Sequence, residues 1–115
     1  MVQSQLLGAQ GETQAAEFLK RQGFVLIARN VRKRFSEADL ICLDGETIVL
    51  VEVKTRSTRF TDPLQAVTPQ KLRRLNRSLH LLSAQYPNQN IRLDVVAVYW
   101  EPGREPLITH YPNII

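Results

Sequence analysis

One stretch of the sequence carries charged side chains at a spacing suited to metal chemistry. The stretch, residues 36–56, reads SEADLICLDGETIVLVEVKTR. Two carboxylates precede its first apolar run, and a carboxylate and an ammonium follow its second; these are Glu37, Asp39, Glu52 and Lys54. The turn signal Asp44-Gly45 between the two β-rich runs predicts a β-hairpin. Since the two ends of an antiparallel hairpin meet, we expect the four charges at one end of it.

The register of this hairpin decides which charges face one another. A four-residue loop over residues 44–47 pairs Leu43 with Ile48 and therefore places Asp39 opposite Glu52. The same register places Glu37 opposite Lys54, whereas a two-residue loop pairs Asp39 with Leu50. Because side chains alternate with period two, Asp39, Glu52 and Lys54 share one face in either case. Directly opposed residues have Cβ atoms about 5 Å apart, and two carboxylates that close repel unless a cation or a proton lies between them. We therefore interpret Asp39 and Glu52 as ligands of a divalent metal.

The middle of the hairpin is apolar on both faces. One face carries Ile41, Leu43, Ile48 and Leu50, and the other carries Leu40, Cys42, Val49 and Val51. Strands that are covered on both sides are typical of a layered α/β sheet. Charges confined to one end of such a hairpin favour the lip of a cleft over a solvated sheet face. The alternative, in which charged strand ends simply emerge into water, stays open at this point.

Helical and β-rich patterns account for the rest of the chain. Before the hairpin, the expected elements are a helix over residues 3–22, a strand over residues 24–28 and a basic loop over residues 30–35. After the hairpin, they are a helix from Thr68-Pro69 to about residue 86, a strand over residues 91–100 and a short strand over residues 107–111. An interruption of the first helix near Gly8 or Gly11 is left open. Asp94 lies within an apolar strand and needs a partner, for which Arg92 is on the same face. The prediction is a single domain over residues 1–115, with an α/β fold in which a mixed central β-sheet is flanked by helices.

Composition excludes several classes of protein. The chain has 115 residues, of which 43% are hydrophobic and 23% charged, as is usual for a globular protein. No apolar run approaches the ~20 residues of a membrane helix, and the first residues lack the basic region of a signal peptide. We therefore expect a soluble, cytoplasmic protein without a membrane partner. The single cysteine, Cys42, excludes an internal disulfide and a cysteine zinc cluster, and its strand position predicts a buried thiol.

Basic segments lie on both sides of the acidic stretch. The net charge of +4 and the isoelectric point near 9.6 favour polyanionic partners without identifying one. Arg32 and Lys33 precede the hairpin, while Arg56 and Arg59 follow it. For the first pair, phosphate contact and a solvated loop are equally weighted interpretations. The basic residues of the second predicted helix are expected on a solvated face; they are Lys71, Arg73, Arg74 and Arg77.

The wider pattern resembles a known family. Asp39, twelve further residues and then Glu52-Val53-Lys54 is similar to the core of the PD-(D/E)xK nucleases. The segments LGAQGETQAAEFLKRQGFVLIARNVR, SEADLICLDGETIVLVEVKTRS, AVTPQKLRRLNRS and RLDVVAV resemble the bacterial YraN family, also called UPF0102, over residues 6–98. This resemblance implies a restriction-endonuclease-like core related to the archaeal Holliday-junction resolvases. Two departures, Ser36 in place of the usual glycine and Gln65 in place of a frequent glutamate, do not touch the core pattern.

The resemblance also implies a site and a reaction. It implies Glu12, Asp39, Glu52 and Lys54 as the catalytic set, with Asp39, Glu52 and Glu12 as ligands of Mg²⁺ or Mn²⁺. The implied activity is hydrolysis of DNA phosphodiesters in structured or branched DNA. The basic residues Arg32, Lys33, Arg56 and Arg59 are implied to hold the substrate backbone. Lys54 is implied to orient or deprotonate the attacking water, or to stabilise the charged transition state.

Two other hypotheses stay open. The first is a nucleic-acid-binding module that keeps the nuclease fold without turnover. The second is a protein-interaction adaptor in which the charges form a structural ion-pair network. The adaptor hypothesis predicts that Asp39→Ala lowers thermal stability, whereas a metal site predicts equal or slightly higher stability because carboxylate repulsion is relieved. A homodimer is compatible with the resemblance, although the sequence marks no dimer interface.

Overall fold

A five-stranded mixed β-sheet carries one helix on each face. The computed structural model describes residues 3–34, 36–57, 67–101 and 103–114, and of residues 3–7 only the backbone. The elements are α1 (Gln3–Arg21), β1 (Val25–Lys33), β2 (Ser36–Asp44), β3 (Thr47–Arg56), α2 (Pro69–Gln85), β4 (Ile91–Tyr99) and β5 (Leu107–Tyr111). This architecture confirms the predicted α/β fold, and it is compatible with a restriction-endonuclease-like core.

The strands lie in the sheet in the order β1-β2-β3-β4-β5. β3 and β4 are parallel, and the other neighbouring strands are antiparallel. A parallel pair requires a crossover connection, and α2 lies in the connection between β3 and β4. The crossover therefore brings the start of α2 back towards the end of β3, where Glu52 and Lys54 lie.

Each face of the sheet packs against one helix. On one face the hairpin residues Leu40, Cys42, Val49 and Val51 form a buried cluster with Ala15, Ala16 and Leu19 of α1. On the other face Ala38, Leu50 and Leu93 form a cluster with Leu75 of α2. Each fully buried aliphatic side chain contributes about 1.5–3 kcal/mol, so these clusters hold both helices against the sheet. The prediction that the hairpin is covered on both sides is confirmed.

β1 is longer than the sequence predicts. The expected strand ends at residue 28 and is followed by a basic loop, but β1 continues to Lys33. β1 lies at an edge of the sheet and pairs on one side only, and edge strands accept charged side chains that reach water. Arg29 and Arg32 therefore lie on a strand with a defined register rather than in a loop.

Gly11 lets α1 lie directly against β3. A Cβ atom on Gly11 would lie 1.8 Å from the Thr55 side-chain oxygen, so a larger residue does not fit here. The helix runs unbroken through Gly8 and Gly11, and the interruption left open above is absent. The close approach places the next residue, Glu12, beside the end of β3.

Cys42 and the helices agree with the expectations from composition. Cys42 is buried, and burial raises the pKa of its thiol to about 11. A thiol with a raised pKa carries little thiolate, which confirms the structural role. Within the part of the chain that the structure describes, neither helix is apolar over a length that crosses a bilayer.

Candidate active site

The hairpin forms in the first of the two registers considered above, but its strand pairing does not continue to the charged residues. Leu43 pairs with Ile48, as predicted, and the pairing of β2 with β3 ends at Leu40 and Val51. The predicted continuation of the ladder to Asp39 and beyond is therefore wrong. The charged side chains meet through contacts other than strand pairing.

A break in side-chain alternation explains why the ladder stops. Ala38 and Ile41 pack on the α2 side of the sheet, whereas Leu40 packs on the α1 side. Residues two apart in a regular strand share a face, so the alternation changes at Asp39. On the adjoining part of β1, Asn30 has a φ of 55°, a left-handed conformation that asparagine tolerates. The two irregularities lie side by side and turn Asp39 out of its regular strand position.

The Asp39 carboxylate replaces the missing strand partner of β3. Its Oδ2 accepts a hydrogen bond from the Val53 backbone N–H at 2.7 Å. Its Oδ1 accepts a hydrogen bond from Arg32 Nη2 at 3.0 Å. Hydrogen bonds to an ionised group are about twice as strong as neutral ones, so these two contacts fix the carboxylate at the end of the hairpin.

Glu52 is a buried carboxylate with one oxygen that lacks a partner. Its Oε1 lies 3.7 Å from Lys54 Nζ and 3.6 Å from Lys71 Nζ. Its Oε2 is buried and has no hydrogen-bond partner among the described residues. Burial, followed by the negative charge of Asp39, raises the pKa of Glu52 to about 7, although the two lysines act in the opposite direction. A buried acceptor without a donor costs about 1–3 kcal/mol, so this oxygen is suited to receive a proton or a cation.

Lys71 joins the site from α2, and the sequence analysis missed it. Its Nζ donates a hydrogen bond to Glu37 Oε2 at 2.8 Å. The expectation of a solvated helix face is wrong for this residue, whose side chain is 17% exposed. Lys71 lies one helical turn before the buried Leu75 and two turns before the buried Ser78. Helical spacing counted back from Leu75 was therefore the signal that marks Lys71 as inward-facing.

Glu37 ties the start of β2 to α2. Its backbone N–H donates a hydrogen bond to Ser78 Oγ at 2.9 Å. Its carboxylate contacts Lys71 through Oε2 and Arg74 Nε through Oε1, the latter at 3.3 Å. The hydrogen bond from Lys71 is the largest cause that lowers the pKa of Glu37. Glu37 therefore holds α2, and with it Lys71, beside Glu52.

Glu12 lies at the border of this group of charges. It is partly buried on α1, and burial together with the negative charge of Asp39 raises its pKa, while Arg32 and Arg29 lower it. Among the residues that the structure describes, no three His, Cys, Asp or Glu side chains form a group that could hold a metal ion. The structure brings Asp39 and Glu52 together, and the three-carboxylate ligand set remains a prediction.

The donor set of Asp39 and Glu52 fits a hard divalent cation. Mg²⁺ takes oxygen ligands, keeps several waters and is usually bound by one or two carboxylates. The Oε2 atom of Glu52 supports this fit, because it is buried, has no donor among the described residues and belongs to a carboxylate that interacts with Asp39. Asp39 and Glu52 would hold the ion, and a contribution of Glu12 stays a prediction.

The four basic residues predicted to contact nucleic acid lie in different surroundings. Arg32 forms an ion pair with Asp39 and keeps about half of its side chain exposed. Lys33 ends β1 and is exposed, and Arg56 ends β3 and is exposed. Arg59 lies outside the described residues. The three described residues thus border the site on the two strands that lead into it.

Asp94 of β4 is a further buried carboxylate, and it has a full set of partners. Its Oδ1 accepts hydrogen bonds from Arg92 Nε at 3.0 Å and from the Asn113 N–H at 2.9 Å. Its Oδ2 lies 2.7 Å from His110 Nε2 and accepts a bond from Arg92 Nη2 at 3.2 Å. Burial acts to raise the pKa of Asp94, but these bonds outweigh it and the pKa is lowered. The predicted partnership with Arg92 is confirmed.

Comparison with known proteins gives a consistent set of relatives. The sequence profile of the family described as "Uncharacterised protein family UPF0102" matches residues 11–98, a range that includes the four residues of the predicted catalytic set. A UPF0102 protein of Nocardia farcinica is 47% identical over 109 residues, which cover 92% of this chain and 86% of the relative. A UPF0102 protein of Symbiobacterium thermophilum is 50% identical over 103 residues, with coverage of 87% and 86%. One of Syntrophomonas wolfei is 42% identical over 110 residues, with coverage of 93% and 95%.

Proposed function

The chain belongs to the UPF0102 family, and on this premise we propose that it is a divalent-metal-dependent endonuclease that hydrolyses DNA phosphodiesters in structured or branched DNA. One observation carries the proposal. The buried Oε2 of Glu52 has no hydrogen-bond partner among the described residues, and the Glu52 carboxylate lies close enough to Asp39 for the two groups to interact. Two carboxylates held together in this way require a cation or a proton, and Lys54 contacts one of them.

Each group of the site has a role in this chemistry. A bound divalent ion supplies a Lewis acid and lowers the pKa of a bound water. Asp39 is held in position by Arg32 and by the Val53 N–H, so it enters the reaction already oriented. Lys54, whose Nζ lies 3.7 Å from Glu52 Oε1, orients or deprotonates the attacking water, or stabilises negative charge on the phosphate.

The surrounding basic residues give the site a preference for phosphate. Arg32 forms an ion pair with Asp39, and about half of its side chain is exposed. It can therefore contact both the Asp39 carboxylate and the backbone of an incoming nucleic acid. Lys33 and Arg56 border the site on β1 and β3. Phosphate contacts of this kind position a nucleic acid without reading its sequence, which agrees with a substrate recognised by its structure.

A cleavage assay over a panel of substrates tests the proposal. The panel holds duplex DNA, single-stranded DNA, a flap, a four-way junction and RNA, each with Mg²⁺ or Mn²⁺ and with EDTA. We expect metal-dependent cleavage of a DNA substrate, and a loss of about 10²-fold or more in rate for Lys54→Ala. Lys20→Ala, which alters an exposed lysine of α1, is the control and should cleave normally. Absence of cleavage over the whole panel, or equal cleavage by wild type and Lys54→Ala, would contradict the proposal.

The choice of variant at position 39 matters for this assay. Asp39→Ala removes the acceptor of the Val53 N–H, and a buried donor without an acceptor costs about 1–3 kcal/mol. Loss of stability in Asp39→Ala therefore no longer separates a metal site from an ion-pair network. Asp39→Asn keeps an acceptor for Val53 and removes the charge, so it is the better variant.

A second candidate is a nucleic-acid-binding module without turnover. The observation that favours it is the set of cations that already compensates the acidic pair, since Arg32 contacts Asp39 while Lys54 and Lys71 contact Glu52. This candidate predicts DNA binding that is the same with EDTA and with Mn²⁺, and that is unchanged in Asp39→Asn. Metal-dependent cleavage by the wild type would eliminate it.

A further inference from the structure

Basic side chains from two elements converge on a small cleft beside Glu37. The cleft has a volume of about 60 Å³ and is lined by Lys33, Arg34, Ser36, Glu37, Arg74, Arg77 and Ser78. The first four of these residues lie where β1 turns into β2, and the last three lie on α2. Four cations thus face one cleft from two different parts of the chain.

Glu37, the acidic residue that lines the cleft, is itself neutralised. Its carboxylate accepts a hydrogen bond from Lys71 at 2.8 Å, and Lys71 does not line the cleft. Arg74 Nε lies 3.3 Å from the other carboxylate oxygen. A guanidinium carries five N–H donors, so this ion pair leaves donors of Arg74 for a ligand. The described lining of the cleft therefore holds four cationic side chains and one carboxylate, which has a partner outside it.

The wall of the cleft that α2 provides is held rigidly. Ser78 Oγ accepts the Glu37 N–H at 2.9 Å and donates to the Arg74 carbonyl at 3.2 Å, and the Ser78 side chain is buried. Arg74 and Arg77 are three residues apart, so they neighbour each other on the helix surface. Both guanidinium groups therefore belong to the wall of the cleft that α2 provides.

We propose that this cleft binds a phosphate of the nucleic-acid backbone, next to the active site; the proposal rests on the proposed function. Guanidinium groups match the geometry of phosphate oxygens and bind them through paired hydrogen bonds. The cleft is linked to the active site through Glu37, which contacts Arg74 on one side and Lys71 on the other, and Lys71 reaches Glu52. The arginines of α2 thereby become part of the nucleic-acid interface, in place of the solvated face expected from sequence.

The salt dependence of DNA binding tests this assignment. Affinity for a fluorescent DNA is measured by anisotropy between 50 and 200 mM KCl, in EDTA to prevent cleavage, with the DNA of the panel that wild type binds best. Arg77→Ala is compared with Arg73→Ala, because both are exposed arginines of α2 and Arg73 does not line the cleft. Each phosphate contact contributes about 0.9 to the slope of log affinity against log salt for duplex DNA. We expect a slope shallower by about that amount for Arg77→Ala, and an unchanged slope for Arg73→Ala and Arg77→Lys.

Three results would overturn the assignment, and they separate it from the proposed function. Equal slopes for Arg77→Ala and Arg73→Ala, with both variants folded by circular dichroism, would remove the cleft from the interface and leave the nuclease proposal standing. Failure of the wild type to bind any nucleic acid would overturn both. Millimolar inorganic phosphate at matched ionic strength supplies the third test: if it raises the melting temperature of wild type but not of Arg77→Ala, and yet displaces no DNA from wild type, the cleft is a site for free phosphate instead.

Discussion

Asp94 and Glu52 lie on neighbouring strands, one register position apart, and both are almost fully buried. Asp94 is aligned with Val51, the residue that precedes Glu52 in β3, and the two carboxylates are 0% and 3% exposed. Their pKa values nevertheless move in opposite directions, since that of Asp94 is lowered and that of Glu52 is raised to about 7. Burial is common to both, so the difference comes from the hydrogen-bond donors around Asp94 and from the negative charge of Asp39 beside Glu52.

The two carboxylates serve different parts of the molecule. Asp94 binds His110 of β5 and the Asn113 N–H beyond it, so it fastens the last strand to β4. Glu52 points to the α2 side, where Lys71 reaches one oxygen and the other has no donor among the described residues. A buried carboxylate with all its partners stabilises the fold, whereas one that lacks a donor is available for a ligand.

The largest expected effect is on Asp94. Asp94→Ala removes the acceptor of Arg92, His110 and the Asn113 N–H, although Arg92 keeps its ion pair with Asp44 at 2.9 Å. Each buried donor that loses its acceptor costs about 1–3 kcal/mol, so urea unfolding should show a decrease of about 3 kcal/mol or more in the free energy of unfolding. A decrease below about 1 kcal/mol, the usual net value of a single hydrogen bond, would show that the Asp94 carboxylate does not stabilise the fold.

Glu52→Gln should raise the free energy of unfolding relative to wild type, and the size of this increase should depend on pH. The pKa of Glu52 is raised from 4.5 to about 7 in the folded protein, so between these values the folded state holds a proton that the unfolded state has lost. Stability conferred by this group is therefore complete below pH 4.5 and is lost as pH rises through 7. Without metal, we expect the free energy of unfolding of Glu52→Gln to increase relative to that of wild type when the pH is raised from 5 to 8. The increase is at most about 3 kcal/mol, at about 1.36 kcal/mol per pKa unit.

Urea unfolding of wild type and Glu52→Gln in EDTA at both pH values measures this gain. The matched control is Glu46→Gln, which alters an exposed carboxylate at the hairpin turn. Its difference from wild type in free energy of unfolding should be the same at both pH values. If the difference in free energy of unfolding between Glu52→Gln and wild type is also the same at both pH values, then Glu52 is ionised over the whole range from pH 5 to pH 8, as Asp94 is expected to be.

Lys71→Gln should have the smallest effect, on metal affinity rather than on folding. Lys71 contacts Glu52 Oε1 and is anchored by Glu37, so its loss frees the carboxylate to rotate. Loss of a residue that orients a metal ligand typically weakens metal binding by about 10-fold or more. Titration calorimetry with Mn²⁺ should show this for Lys71→Gln, whereas Arg73→Gln should bind as wild type does. Equal affinity for the two variants would exclude a positioning role for Lys71.

Much of the fold could be predicted from local patterns. The pairing of Leu43 with Ile48, the start of α2 after Thr68 and the last strand all form as predicted. In these places the local signals and the tertiary contacts agree: the Thr68 side chain accepts the Lys71 N–H, and the apolar alternation of the hairpin matches two covered faces.

The errors arise where tertiary contacts override local preference. The basic residues after Arg29 indicate a loop, yet pairing with β2 extends β1 to Lys33 because an edge strand accepts such side chains. The break at Asp39 carries no local signal, since it depends on Asn30 of the adjoining strand and on the Val53 N–H. Lys71 was missed because its partners, Glu37 and Glu52, are distant in sequence.

The most direct test of the central claim is calorimetric titration of Mn²⁺ at pH 8 into wild type, Glu52→Gln and Asp94→Asn. The account predicts a binding isotherm for wild type, a similar one for folded Asp94→Asn, and an affinity for Glu52→Gln that is lower by at least the ~10-fold seen when a metal ligand loses its support. If wild type gives no binding heat and no Mn²⁺-dependent rise in melting temperature, or if Glu52→Gln binds as tightly as wild type, then the unpartnered oxygen of Glu52 is not a metal ligand and the account is wrong.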